Sequence, residues 1–576
     1  MKRTNTRKVL LSVLASLFGV ASFNAQVMLK EIPLSQQIES SGLVVEGKVI
    51  SKESFWNADQ TNIYTINTVE VYKIFKGNPV EIVQVITTGG TVGNMSQKVS
   101  PSLNLNANDV GIFTLASDVN VTSNGFRPYS GVQGFYKYDL NRDVVINPFN
   151  KREGIETLYT EILSKTKTDF SEVLKYNVAE QASKAAKSAK VLAPASISFT
   201  DQPVSAGTKT VLTINGTGFG SVKGGVGFAN SSDGGASVTY ALDSQVLTWT
   251  DERITVEIPS LAGTGLVTIV DSNNDSSVSE EVLTVSFALL TNENAGKAYP
   301  VQYYGANGNG GLTWSMSTDL SSNSSANLAF MRAFDTWRCE TGINWGVSAN
   351  TTTQNSAGLD AENVIAFSPN LPEGYLGATT VYYDSCNASD WVVAEVDIIF
   401  DGKTDWFYAE DGFVFGFDFE TVALHELGHA QLLDHVIDES DPMHFNIQSF
   451  IANHELSDSN KEAANIIVTN STTNAVCSYQ LMSGYSCLLG IEEDVLESGV
   501  DLYPNPAKTE FFIKKSASIN LEFVIIYDVN GRLISKHDVS KTSGLQTISL
   551  SGISKGLYFV NISSDLASIT KKLIVD

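Results

Sequence analysis

Histidine, cysteine and positive charge are all scarce in this chain. Six histidines and four cysteines occur among 576 residues. Lys and Arg total 38 against 63 Asp and Glu, a formal net charge of −25. That shortage of cations excludes a nucleic-acid partner, because phosphate-backbone binding needs clustered positive charge. The cysteines are Cys339, Cys386, Cys477 and Cys487, and no two stand in a CxxC pair. A cysteine-based zinc site is therefore excluded, and two structural disulfides in an oxidising compartment are expected. Three connectivities are open; Cys339–Cys386 with Cys477–Cys487 is favoured, since the second pair closes a short loop containing Gly484. Beyond the N-terminus no apolar run reaches the ~18 residues of a membrane span, so no transmembrane segment is expected in the mature chain.

What the N-terminus does contain reads as an export signal. Positions 1–8 (MKRTNTRK) are basic, 9–23 are apolar, and cleavage is expected after Ala25, giving a signal peptide over 1–25. A membrane anchor is the alternative. At about 150 residues per domain the length accommodates roughly four domains, and the 43% hydrophobic content suits packed globular material.

Four blocks follow. Residues 26–165 are β-rich, with alternating runs at 42–50 (GLVVEGKVI) and 64–75 (YTINTVEVYKIF), the second ending in the turn cluster 76–79 (KGNP). They predict a small barrel or sandwich of unknown role. Ala, Lys and Ser dominate the next stretch, and 166–193 is read as a helical or flexible linker. Short alternating strands with Gly-rich turns over 194–288 predict a β-sandwich. Residues 289–490 carry the chemistry. The final block, 491–576, is strand-rich again, with Asn530-Gly531 marking a type I′ hairpin. The fold class is thus multidomain and mostly β, with one α+β catalytic domain: an N-terminal β-barrel or sandwich, an immunoglobulin-like β-sandwich, the catalytic domain and a C-terminal β-sandwich.

Within 289–490 the segment 421–435 reads TVALHELGHAQLLDH. Phe419, Val422, Leu427 and Ala430 recur at helical spacing, and Asp418 is placed to cap the start. On a helix His425 and His429 project from one face, one turn apart, within reach of one cation. Glu426 is rotated away from ligation yet stays near a metal-bound water. This is the HExxH pattern, expected by chance in well under ~1% of such histidine-poor chains. With His435 as a third ligand, a catalytic Zn²⁺ keeps one position open for water. Glu426 is the expected general base. His444, His454 and His537 are read as ordinary polar residues.

These residues resemble the metzincins, most closely the matrixins. The family pattern HExxHxxGxxH falls on His425, Glu426, His429 and His435, and its Met-turn on Met443. The segments 311–315 (GLTWS) and 327–337 (NLAFMRAFDTW) resemble its first strand and first long helix, and 393–400 (VAEVDIIF) resembles its substrate-binding edge strand. The resemblance spans about 290–490 and implies a zinc metalloendopeptidase acting on proteins or peptides. Three departures stand out. Leu432 replaces the family glycine, Phe445 stands where some branches offer a tyrosine, and no cysteine precedes Cys339 to act as a thiolate latency switch.

Two other blocks carry resemblances. The motifs 206–208 (AGT), 216–220 (GTGFG) and 249–254 (WTDERI) are similar to an IPT/TIG immunoglobulin-like domain, implying a spacer or binding module. The runs 502–506 (LYPNP), 523–529 (FVIIYDV) and 556–562 (GLYFVNI) resemble the type IX secretion system C-terminal sorting domain. That resemblance implies the type IX machinery as a partner, and a protein secreted or cell-surface-bound by a Gram-negative bacterium.

Two rival readings are open, one of the function and one of the ligand set. One is a surface adhesin or binding protein with a non-catalytic metzincin-like domain, which has no physical need for Glu426. The other places Glu455 on the zinc instead of His435. A Ca²⁺ site near Asp401, Asp405 and Asp411 is possible on composition alone, and a solvated turn is the preferred reading.

Overall fold

The computed structural model describes residues 29–576 except 119–120, 122–124, 189–196, 201, 274, 410–413, 415, 447–448, 488–495, 498, 517–518, 520, 530–531, 541–544 and 565–567. The expected signal peptide, Asp411 and the Asn530-Gly531 turn lie outside the described residues. The chain forms two compact units, 1–485 and 486–576. No helix among the described residues is long and apolar enough to cross a membrane.

The first unit begins with a closed ring of strands. Leu43–Trp56 pairs with Ile63–Lys76, which pairs with Ile82–Thr88, then Gly125–Pro128, then Val110–Ser117, which returns to Leu43–Trp56. Closure leaves the ring no free edge. The alternation visible at 64–75 is the inward-outward alternation of this barrel. The helix Ile155–Thr166 covers it through Ile155, Leu158 and Ile162. The stretch expected as a linker behaves otherwise in its described part. Ser171–Glu172 adds to the barrel sheet, and Val178, Ala179 and Ala182 of the helix Val178–Ser188 enter the same core.

Residues 197–288 form the expected sandwich. Two four-stranded sheets enclose a core that includes Leu212, Ile214, Phe219, Val226, Ile254 and Ile269.

The following region is α+β. Its sheet runs in the order Trp345–Val347, Leu312–Met316, Asn363–Ser368, Trp391–Asp401, Gly377–Ser385. The first three pairings are parallel and the last is antiparallel. The helix Ser324–Thr341 makes the long crossover that parallel pairing requires. Its Ala326, Phe330, Ala333, Phe334 and Trp337 stripe is buried. Against it packs the helix Phe419–Ala430, where the Trp337 indole donates to the Leu424 carbonyl at 2.8 Å.

Two expectations are corrected here. The segment 393–400 is an interior strand, hydrogen-bonded on both sides; the strand beyond it is Gly377–Ser385. Both strands are buried on nearly every residue, with polar side chains among the buried ones in each, so composition could not say which lies outside. The expected disulfide pairs do not form either: Cys386 is bonded to Cys477, and Cys339 and Cys487 are each disulfide-bonded, leaving no free cysteine. The chain after the helix Asp458–Thr473 returns to the turn that follows Ser385, which brings Cys477 to Cys386 across 91 residues.

The second unit is a sandwich of three and four strands around Phe511, Ile513, Val524, Ile526, Val560 and Leu573.

Candidate metal centre

The helix Phe419–Ala430 is buried along its whole length. Asp418 caps it, Oδ1 accepting from the Thr421 N–H at 2.7 Å, and the same atom receives the His454 ring at 2.8 Å. His454 is thus tied to the helix start, away from the histidine cluster.

Glycine occurs once on this helix for a reason of space. A Cβ on Gly428 would run into the sulfur of Met443, which is fully buried against the helix at that point. The Met443 turn also supplies the Pro442 carbonyl, 2.6 Å from His425 Nδ1.

The helix ends in a left-handed turn. The Leu433 N–H bonds back to Gly428 O at 3.0 Å and the Leu432 N–H to His429 O at 2.9 Å. This is a Schellman arrangement with Leu432, at φ 68°, where glycine is usual. Leu432 is fully buried. Burying a leucine contributes roughly 1.5–3 kcal/mol, enough to offset the roughly 1–2 kcal/mol of left-handed strain. The chain beyond the turn is stitched to 288–290, with Asp434 N bonding Ala288 O at 2.8 Å and Leu290 N bonding Leu432 O at 2.8 Å.

That turn delivers His435 to the other two histidines. His425 Nε2 lies 3.0 Å from His429 Nε2, which lies 3.1 Å from His435 Nε2. The outward nitrogens are engaged: His425 with Pro442 O, His429 Nδ1 with Leu433 O at 2.9 Å, and His435 Nδ1 with Ser232 Oγ of the preceding sandwich at 3.4 Å. A ring that donates its Nδ1–H to a carbonyl turns an unprotonated Nε2 inward. Facing lone pairs at such distances need a cation between them. Tetrahedral zinc at 2.0–2.1 Å sets its nitrogens about 3.3–3.4 Å apart. The donor set therefore fits zinc. Among the described residues these three histidines are the group of metal-ligating side chains that converges.

Burial holds the His425 and His435 rings well below the usual histidine range, with His429 next to each adding to it, and burial lowers His429 as well. All three are kept in the neutral form that a metal requires.

Glu426 follows His425 on the same helix, buried and half-satisfied. Oε2 accepts from Thr379 Oγ1 at 2.5 Å, while Oε1 has no partner. Burial pushes its carboxyl up to about 8, with the Thr379 bond pulling the other way. Gly377 makes room for it, since a Cβ there would come within 2.7 Å of Oε1.

Sequence reasoning missed Thr379, Gly377 and Ser232, which stand in unremarkable β-rich and turn segments and reach the site only through tertiary folding. Glu455 is exposed, so the alternative that puts it on the metal finds no support here. His444 bonds Asn446 O through Nδ1 at 2.9 Å, and His537 lies in the other unit. Asp401 accepts from Thr404 in a tight turn, as a solvated loop would.

Residues 307–467 match the matrixin family, and 501–576 match the secretion system C-terminal sorting domain. The first supports a metallopeptidase of the zinc-dependent type. The second marks the protein for export to the surface or surroundings of a Gram-negative cell. A similar curated protein is beta-agarase A of Zobellia galactanivorans, 42% identical over 83 residues. The match spans 14% of this chain and 14% of that protein. Among solved structures, the BSP domain of a biofilm associated protein aligns over 92% of this chain and 81% of its own, at 8% identity and TM-score 0.12. Dimeric latent PorU of Porphyromonas gingivalis aligns over 73% and 37%, at 11% identity and TM-score 0.11.

Proposed function

We propose that the protein is a secreted zinc metalloendopeptidase in which His425, His429 and His435 hold the metal and Glu426 is the general base. One observation carries this reading: three inward Nε2 atoms converge, and Glu426, next in sequence to the ligand His425 on the same buried helix, keeps a carboxylate oxygen, Oε1, that has no other partner. Zinc in that position would polarise the scissile carbonyl and acidify a water. Glu426 Oε1 takes the proton from the attacking water and returns it to the leaving amine. Thr379 fixes the other oxygen, so the carboxylate presents one edge in one direction. Met443 and Gly428 set the depth of the helix beneath the rings, and the Leu432 turn sets the position of His435.

The other blocks serve delivery. The 197–288 sandwich acts as an IPT/TIG-type spacer whose Ser232 touches the site, and the second unit addresses the chain to the type IX machinery. A non-catalytic adhesin does not account for a carboxylate buried with a free oxygen, a costly arrangement without a reaction to serve.

The test is Glu426→Ala, with zinc content and chelator-sensitive digestion of a peptide library measured on the same samples, before and after limited proteolysis. Zinc should stay bound while hydrolysis falls by at least ~10²-fold, the low end of general-base catalysis. Activity retained within about tenfold would remove Glu426 from the role.

A further inference from the structure

The N-terminal barrel sends one hairpin out of its own sheet. Gly90–Val92 and Met95–Ser100 pair with each other, and Met95–Ser100 lies antiparallel along Gly377–Ser385, from Met95 opposite Asp384 to Ser100 opposite Thr379. The catalytic sheet thus gains its outermost strands from a segment far away in sequence. This is the edge beside Glu426, because Thr379, the residue facing Ser100, is the one that bonds Glu426.

Side chains fasten the hairpin along its length. Lys98 pairs with Asp434, next to His435, at 3.4 Å. Ser96 Oγ donates to Asn292 at 2.7 Å, and Asn94 donates to Asp384 at 2.8 Å. The Gln97 amide donates to Asn62, whose side-chain oxygen also receives the Tyr382 hydroxyl at 3.0 Å. The strand ends at the histidines, with Ser100 Oγ 2.9 Å from His429 Nε2.

An extended peptide recognised by this sheet must hydrogen-bond the same backbone edge. Substrate and hairpin therefore exclude each other. The Ser100 hydroxyl also brings an oxygen to the side of the triad where a hydrolytic water has to stand. We propose that the 90–100 hairpin is a built-in inhibitor: it fills the substrate strand, sets Ser100 at the metal position, and keeps the chain latent until the N-terminal region is released. This rests on the peptidase reading above and names the regulation of that same site.

A hydroxyl is a weaker zinc ligand than a thiolate, so the hold comes from strand pairing and tethering. A tethered segment competes at an effective concentration near millimolar, and severing the tether forfeits about 10²–10⁴-fold of its grip. Cutting the chain between the barrel and the 197–288 sandwich is thus the natural release.

The experiment uses the full chain with a specific protease site inserted between positions 190 and 193. The probe is a fluorescent peptidyl hydroxamate, read by anisotropy, together with amide hydrogen exchange of 377–385. Intact chain should bind the probe at least 100-fold more weakly than cut, diluted chain, and the 377–385 amides should lose protection on cutting. The uncut double variant Lys98→Glu, Ser100→Ala should gain at least tenfold in probe affinity. Equal affinity before and after cutting, unchanged protection, or an unaffected double variant would each overturn the proposal. A cut chain that binds the probe yet hydrolyses no peptide would sink the peptidase reading and leave the occlusion standing. An uncut chain that digests peptides at the cut chain's rate would do the reverse.

Discussion

The Thr379 hydroxyl lies within hydrogen-bond distance of Glu426 at two places. Its Oγ1 lies 2.5 Å from the carboxylate Oε2 and 3.0 Å from the Glu426 main-chain oxygen. One hydroxyl on the outer strand therefore sets both the height and the rotation of the base. Thr379→Val keeps the shape and removes the donor. A hydrogen bond to a charged group contributes about 1.5–3 kcal/mol, so kcat/KM should fall about 10–100-fold with zinc content unchanged. A Val variant within twofold of wild type would show that Glu426 needs no anchor.

His435 and Glu455 separate two ways of completing the triad. His435 is buried with Nε2 at 3.1 Å from His429, while Glu455 is exposed. His435→Ala should lose tight zinc binding and activity, whereas Glu455→Ala should keep both, as read by metal content after dialysis. The opposite pattern would move the third ligand to Glu455.

Leu432 is held at φ 68° and has no exposed surface. The left-handed backbone alone makes Leu432→Gly look neutral or slightly stabilising. Burial reverses that sign: relief of roughly 1–2 kcal/mol of strain is outweighed by the roughly 2–5 kcal/mol lost when a core leucine is truncated. The variant should be less stable by about 1–3 kcal/mol in denaturant unfolding. A variant as stable as wild type would show that the cavity collapses at no cost.

Glu395 and Asp397, two residues apart on the strand Trp391–Asp401, are a buried carboxyl pair. Burial pushes Glu395 up to about 7, against the main-chain N–H groups of Asp360 and Ala361, and burial with the neighbouring Glu395 raises Asp397 well above its usual range. Between about pH 4.5 and 7 the folded chain keeps a proton on Glu395 that the unfolded chain has lost. Stability from this group is full below that window, falls as pH rises through it, and is flat above about 7. Asp360, Glu362 and Asp397 still face the site in Glu395→Gln, so the slope should shrink rather than vanish. Melting curves from pH 5 to 8 that stay parallel for the two proteins would refute the assignment.

Deleting 500–576 removes most of a separately packed unit whose core lies wholly within 496–575. The truncated protein should fold, bind zinc and remain in the cell envelope. Normal levels in the medium would show that export does not depend on this unit.

The histidine helix was readable because a four-residue spacing fixes which side chains share a face, and Asp418 and Met443 stand at local offsets from it. The barrel and both sandwiches were readable as classes from period-two alternation. What escaped the sequence depends on pairing over distance. Ser100 and His429 are 329 positions apart, and nothing in 95–100 distinguishes it from the barrel strands around it. The outer strand is not legible in the sequence because neighbour order in a sheet is set by tertiary pairing, and both 393–400 and 377–385 are buried on both faces. Cysteine pairing failed for the same reason, since loop length says nothing about where the chain returns after the helix Asp458–Thr473. Ser232 touches His435 from another block, and only the packed structure could reveal it.

The Cys386–Cys477 bond joins the chain just after the outer strand to the segment that follows the last helix of the region. Such a bond forms in an oxidising compartment and not in a reducing cytoplasm. The end of the strand that bears Thr379 is therefore left unclamped while the chain is inside the producing cell and is locked only after export. Geography becomes chronology: this edge of the sheet acquires its final rigidity only once the chain has left the cell that made it.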